Sequence, residues 1–210
     1  MKPFAVDIDD VIALFAQAIY PAMTSRYQNV KPVAEWHSFR FSDVNNIPYD
    51  AFIQAMIDDD LLSNCHPVPS AIEAMKQIHA SGTPIVLITA RGYHAQAYAL
   101  TTAWLVKHGI PYDDLIIVPK GLNKAEASKD KYPKGFIYMI DDNPDNLDDM
   151  REAGLVTNTI LIDQPWNQDR KDFKIGASRF KSLWDFVQSL KISPGNQYNE
   201  IDESELNVAC

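Results

Sequence analysis

Five short apolar runs, most of them separated by a stretch long enough for a helix, constrain this chain of 210 residues more than any other feature. They are Phe4 to Val6, Pro84 to Ile88, Leu115 to Val118, Phe136 to Ile140 and Thr157 to Ile162, and each reads as a buried strand. Helical patterns lie between and after them. Ala97 to His108 would bury Leu100, Trp104 and Leu105 and stop at Gly109, which can take the left-handed closing conformation. A lysine-bearing helix falls at Asn123 to Ser128, another runs from about Asp145 to Ala153 before Gly154, and a last one from about Arg179 to Leu190. Alternation at this spacing predicts an α/β protein with a doubly wound parallel sheet and helices on both faces. Ligands of such sheets gather beyond the carboxyl ends of the strands.

Three of these strand ends carry related polar groups. The first runs into Asp7-Ile8-Asp9-Asp10, and the strand period of two puts Asp7 and Asp9 on one side with Ile8 on the other. Two neighbouring carboxylates are costly unless a cation, a proton or a basic group offsets them, so Mg²⁺ or a raised pKa is expected here. The second ends in Thr89-Ala90-Arg91, a hydroxyl and a guanidinium suited to phosphate. A third ends in Asp141-Asp142-Asn143-Pro144. Lys120, Lys124 and Lys131 all precede that acidic pair, and Lys124 is preferred because it can open a helix beside the site. Taken singly, Lys124 fits a surface lysine and Thr89 a turn cap, while Asn143 and Asn146 fit turn formation as well as a role in orienting the acidic loop. Their joint order is what carries the argument. His37, His66, His79, His94 and His108 show no ligand spacing, and only His94, near Arg91, could reach a pocket.

The stretch from Phe15 to Pro69 breaks the rhythm, because it is helical in pattern, rich in aromatics and too long for an ordinary connection. It predicts a helical cap at 15–69, leaving 1–14 and 70–191 as the core, with a capping box at Ser70-Ala71-Ile72-Glu73 opening the helix that returns to it. The net charge of −9 is uneven: Glu200, Asp202, Glu203 and Glu205 place four negative charges after Lys191 with no Lys or Arg to balance them. Residues 192–210 are accordingly expected to form a mobile or loosely docked acidic tail. An acidic body argues against tight binding along a polynucleotide, whose usual partner is a basic stripe. A small anionic substrate remains compatible with it. Cys65 and Cys210 are the only cysteines and are expected to be free thiols. No apolar run approaches the roughly 20 residues of a spanning helix, and the expected location is cytoplasmic.

The order Asp-x-Asp, Thr after a strand, Lys and acidic pair, covering about residues 4 to 165, resembles the haloacid dehalogenase-like superfamily with its Rossmann-like sheet. A second aspartate two residues after the first is typical of its phosphatases. The intervening cap and the run Asp163-Gln-Pro-Trp-Asn167 narrow the resemblance to the 5'(3')-deoxyribonucleotidases, as does Cys65-His-Pro-Val-Pro-Ser-Ala71. That resemblance implies a Mg²⁺-dependent phosphomonoesterase acting on nucleoside monophosphates, with Asp7 as nucleophile and Asp9 as general acid and base. It implies a metal held by the Asp7 carboxylate, the Asp9 carbonyl, and Asp141 or Asp142, with Thr89 and Lys124 on the phosphoryl group. Phe15, eight residues after Asp7, corresponds to a ring that packs on the base, and Trp36, Phe39 and Phe41 lie in the comparable cap region. These rings suit a cap core equally well. Ala90 and Arg91 are assigned to substrate. Two departures stand out: Asp10 occupies a position where Gly is common, and Thr89-Ala90-Arg91 is closer to polynucleotide 3'-phosphatases. The alternatives are therefore a polynucleotide-end phosphatase and a non-catalytic nucleotide-binding module.

Overall fold

The computed structural model describes residues 1–169 and 178–190. The chain opens with β1 (Phe4–Val6) and then four helices, α1 (Phe15–Thr24), α2 (Phe41–Val44), α3 (Tyr49–Asp58) and α4 (Leu61–Asn64). It continues through α5 (Pro69–Ala80), β2 (Ile85–Gly92), α6 (Ala97–Lys107), β3 (Asp114–Pro119) and α7 (Lys124–Ser128). The remainder is β4 (Phe136–Asp141), α8 (Pro144–Glu152), β5 (Val156–Ile162), β6 (Ser178–Phe180) and α9 (Leu183–Ser189). The strands form one sheet in the order β3-β2-β1-β4-β5-β6, with every neighbouring pair parallel. β1 is thus an inner strand flanked by β2 and β4, and this brings the three polar strand ends together.

Alternation along the strands feeds two apolar layers. Phe4, Val6, Ile85 and Leu87 pack on one face with Ile19, Ile78, Trp104 and Phe186. Ala5, Val86 and Ile88 pack on the other with Ala125, Leu147 and Met150. Helices on both faces explain why these strands read as continuous apolar runs. The aromatic insertion joins the first layer, since Trp36, Phe41 and Phe52 belong to the same cluster as β1.

Local reading and structure part at two places. Ser70 does not cap α5: Val68 is extended at the N-cap and Pro69 takes the first turn, where its missing N–H is no loss. The Val68 amide instead donates to the Ile12 carbonyl at 2.9 Å, tying the return segment to the loop after β1. The helix expected from Arg179 begins only at Leu183, capped by Ser182, because Ser178 to Phe180 add a sixth strand beside β5. The Phe180 carbonyl accepts from the Asp163 amide at 2.8 Å and the Arg179 guanidinium pairs with Asp163, so edge pairing outweighs the local helical pattern. Leu100 is half-buried, while Trp104 and Leu105 are fully buried as expected. The expected acidic tail lies outside the described residues, and among these no helix is long and apolar enough to cross a membrane.

Candidate active site

β1 ends against its neighbours so that Asp7 continues the ladder, its amide donating to the Ile140 carbonyl at 2.9 Å. The Asp7 side chain is consequently buried close to the end of β4, and oxygens of Asp7, Asp141 and Asp142 lie within 4.8 Å of one another. Lys124 reaches this cluster from the first residue of α7, where Asn123 and Glu126 form a reciprocal capping box. Its ammonium stands 2.7 Å from both Asp7 Oδ1 and Asp141 Oδ2 and is almost fully buried. Lys120 and Lys131 do not join it; Lys131 pairs with Asp114.

The electrostatics follow from burial. Removal from water pushes the Asp7 carboxyl up to about 7, with Lys124 opposing the rise and Asp141 adding to it. Asp142 is also driven well above the usual carboxylate range, chiefly by burial and then by Asp141, Asp10 and Asp7. Burial disfavours the Lys124 ammonium, but Asp141 and Asp7 outweigh this and raise its pKa, keeping it charged. Asp142 Oδ1 is buried without a hydrogen-bond partner, and Asp7 Oδ1 meets only the Lys124 ion pair. Unsatisfied carboxylate oxygens in an all-oxygen donor set fit a hard divalent cation.

Supporting residues hold these carboxylates in place. Asn146 donates to both Asp141 oxygens, at 3.2 and 3.1 Å, and the Asn143 amide donates to Asp141 Oδ1 at 2.9 Å. The Asn143 side chain caps α8, so the turn and site readings of these two asparagines divide between them. Trp166 Nε1 donates to Asp142 Oδ2 at 2.7 Å, and Asn167 donates to the Asp142 carbonyl at 2.8 Å. The roles of Trp166 and Asn167 are absent from the sequence reading. Their segment is visible there, but what it touches depends on the approach of β5 to β4.

β2 places the second group through a bulge. Thr89 pairs with Ile117 and Gly92 with Pro119, so one extra residue lies between them on β2. Alternation is kept across it: Thr89 and Arg91 are buried and Ala90 is exposed. A side chain at Gly92 would meet the Val118 carbonyl at 2.1 Å, which makes glycine a steric requirement. Arg91 corrects the expectation of a substrate contact. It is fully buried, its Nη2 donates to Asp9 Oδ1 at 2.6 Å and its Nε to Asp9 Oδ2 at 3.0 Å, while Nη1 donates to Thr101. Phe15 and Trp104 face the guanidinium at 5.8 and 6.0 Å. Thr89 also donates to Asp9, at 3.3 Å.

Beside Asp9 and Asp10 opens a cavity of about 480 Å³ lined by Phe15, Phe39, Phe41, Tyr49, Phe52, Ala90 and Tyr93, together with Arg40 and Asp43. Trp36 is not among its walls, a second correction: it is fully buried behind Phe41, with ring centroids 4.6 Å apart, and its indole N–H donates to the Lys31 carbonyl. His94 lies outside the wall and accepts from the Gln96 amide. Asp10 has φ +59° and its carboxylate accepts from the Ala16 amide at 2.9 Å. Burial pushes the Asp10 carboxyl well above its usual range, and the amides of Ala16 and Phe15 oppose this. Cys65 is a free, buried thiol with its pKa pushed up to about 11 by burial.

A parallel sheet carrying this acid and lysine cluster defines a class. The chain superposes on L-2-haloacid dehalogenase from Xanthobacter autotrophicus with a TM-score of 0.58 at 11% identity, over 91% of this chain and 98% of that one. On D,D-heptose 1.7-bisphosphate phosphatase from B. bronchiseptica the TM-score is 0.56 at 13% identity, over 91% and 98%. The fold is that of the haloacid dehalogenase superfamily. Within it, residues 3–191 match the family described as 5' nucleotidase, deoxy (pyrimidine), cytosolic type C protein, and the chain belongs to that family. A relative from Chlorobaculum tepidum named "Putative 5'(3')-deoxyribonucleotidase" is 27% identical over 195 residues, covering 88% of this chain and 89% of its own. The chain is a phosphoric monoester hydrolase of the 5'(3')-deoxyribonucleotidase kind.

Proposed function

We propose that the protein hydrolyses (deoxy)nucleoside monophosphates, with Mg²⁺ as cofactor, through an aspartyl-phosphate on Asp7. The observation that carries this reading is Lys124 lying 2.7 Å from both Asp7 and Asp141, next to the orphaned oxygen of Asp142. A carboxylate oxygen of Asp7 attacks phosphorus, the bond to the nucleoside oxygen breaks, and that oxygen takes a proton from Asp9. Water then attacks the phosphorus of the aspartyl-phosphate, giving its proton to Asp9 and releasing phosphate and a free Asp7. Lys124 offsets charge on the transferring group, and Thr89 offers its hydroxyl to a phosphoryl oxygen as Asp9 turns to the leaving group. Asp7, Asp141, Asp142 and the Asp9 carbonyl would hold Mg²⁺, which when bound supplies charge compensation for nucleophile and phosphate. The phosphatase from B. bronchiseptica was solved with magnesium and phosphate, which accords with this donor set.

Residues 15–69 are read as the cap, and the aromatic cavity that their helices share with Ala90 and Tyr93 as the nucleoside pocket, with Phe15 and Phe41 on the base. The family description supports a cytosolic setting. Engagement of Arg91 by Asp9 favours the monophosphate reading over the polynucleotide-end alternative. The test is phosphate release from a panel of deoxynucleoside monophosphates and a 3'-phosphorylated oligonucleotide, with Mg²⁺, for wild type and Asp7→Asn. Release from the monophosphates that Asp7→Asn abolishes is expected. Release from the oligonucleotide alone would replace this reading with the alternative, and binding without release would replace it with a non-catalytic module.

A further inference from the structure

Asp10 takes no part in the mechanism above, yet every polar group of this residue is committed. Its amide donates to the Ala13 carbonyl at 2.8 Å and its carbonyl accepts from Gln164 Nε2 at 2.7 Å. Its carboxylate accepts from the Ala16 amide, at 2.9 Å to one oxygen and 3.2 Å to the other. Ala16 lies in the first turn of α1, and Leu14, at the N-cap, gives α1 no side-chain cap. The amides of a first helical turn need an acceptor from outside the helix, and here it arrives from six residues upstream. The first residue of α1 is Phe15, whose ring lies on the cavity wall and faces Arg91 at 5.8 Å.

We infer that Asp10 is a positioning residue for substrate recognition: by accepting the Ala16 amide it sets where α1 starts, and so where the Phe15 ring stands beside the loop carrying Asp7 and Asp9. The inference deepens the proposed function and rests on it, since it takes the Phe15 wall as the nucleoside's. Asp10 holds φ +59°, a conformation that Asp, Asn and Gly adopt more readily than other residues. This makes a clean set of variants available. Asp10→Asn keeps the acceptor oxygen and the backbone conformation while removing the ionisable group. Asp10→Gly keeps the conformation and removes the acceptor.

The experiment measures kcat and KM on the full chain with Mg²⁺, for a deoxynucleoside monophosphate and for p-nitrophenyl phosphate, which has no nucleoside to recognise. Wild type is compared with Asp10→Asn, Asp10→Gly, Phe15→Ala and the Asp10→Gly/Phe15→Ala double variant, with thermal melting as the control for folding. Asp10→Gly is expected to raise the nucleotide KM about fivefold, because the buried Ala16 amide loses its acceptor, with a change below about twofold for the aryl ester. Asp10→Asn should stay within about twofold of wild type on both substrates. In the Phe15→Ala background Asp10→Gly should add nothing, because the ring it positions is gone. Equal losses on the two substrates, multiplying losses in the double variant, or an Asp10→Asn as impaired as Asp10→Gly would each overturn the inference while leaving the nucleotidase reading intact. Wild type that cleaves the aryl ester in an Asp7-dependent way but no nucleotide would overturn both. An Asp10→Gly that the melting control shows not to fold would overturn the inference, leaving Asp10 a residue of the fold alone.

Discussion

Lys124 is the residue on which the acidic cluster depends, since among the described residues it is the cation paired with both Asp7 and Asp141. Replacing it with Met leaves two buried carboxylates without their partner, and breaking a buried pair in this way costs about 3 kcal/mol. Lys124→Met should therefore lower the urea midpoint and abolish phosphate release; an unchanged midpoint would mean the ammonium is not the partner inferred here. Arg91 is bound differently, through a fork that meets both oxygens of Asp9 while a third nitrogen holds Thr101. A lysine keeps the charge but not the fork. Arg91→Lys is expected to reduce kcat about tenfold with KM nearly unchanged, because a single lost charge-assisted hydrogen bond is worth roughly that factor. A rise in KM alone would return Arg91 to direct substrate contact.

Among the elements, α7 carries Lys124 on only five residues, Lys124 to Ser128. A helix of that length has little stability of its own, so its start depends on the Asn123 and Glu126 box and on packing of Ala125. Asn123→Ala should cost about 1 kcal/mol of global stability and lower kcat as well, because the lost cap frees the backbone that aims Lys124. A stability loss with unaltered kcat would show that packing alone aims the lysine. The end of β2 keeps its alternation across the register shift, with Thr89 and Arg91 buried and Ala90 exposed. Thr89, Ala90 and Arg91 were legible as a polar strand end. Which of them faces the cavity was not, because alternation separates Ala90 from Thr89 and Arg91 without saying what packs on either side.

At the scale of the molecule, the parallel sheet makes one site from segments more than a hundred residues apart, and a bound cation would join them. Mg²⁺ at about 100 times its dissociation constant should add roughly 2.7 kcal/mol, a rise of about 5 to 10 °C in the melting midpoint. Chelation should reverse that rise and abolish turnover, and Asp142→Asn should remove most of it. An equal rise in Asp142→Asn would place the cation elsewhere. A distant cluster contributes to acid sensitivity: burial pushes the half-buried Asp114 carboxyl up, but hydrogen bonds from Lys131 and Tyr132 outweigh it and leave its pKa below the usual carboxylate range. A folded pKa below the unfolded one stabilises above the unfolded value, and that contribution is lost as pH falls through the folded one. Asp114→Asn should cost about 0.5 kcal/mol near neutrality, and the gap should close in acid. A gap constant with pH would exclude the ionised form as its source.

The order of strands and helices and the three polar strand ends were legible in the sequence, because period and spacing are local properties of a chain, whereas sequence left three lysines open and contact with Asp7 and Asp141 singles out Lys124. The aromatic character of the insertion was legible too. Only the tertiary structure decided that Trp36 lies behind Phe41 while Phe39 lines the cavity, since hydrophobicity is the same on either side of a wall. It also decided that Arg91 serves Asp9, that Trp166 and Asn167 hold Asp142, and that Ser178 to Phe180 form a strand. Each of these is a pairing between distant segments. A chain's local chemistry does not name such a partner; the packing of β1 between β2 and β4, and of β5 and β6 beyond them, does.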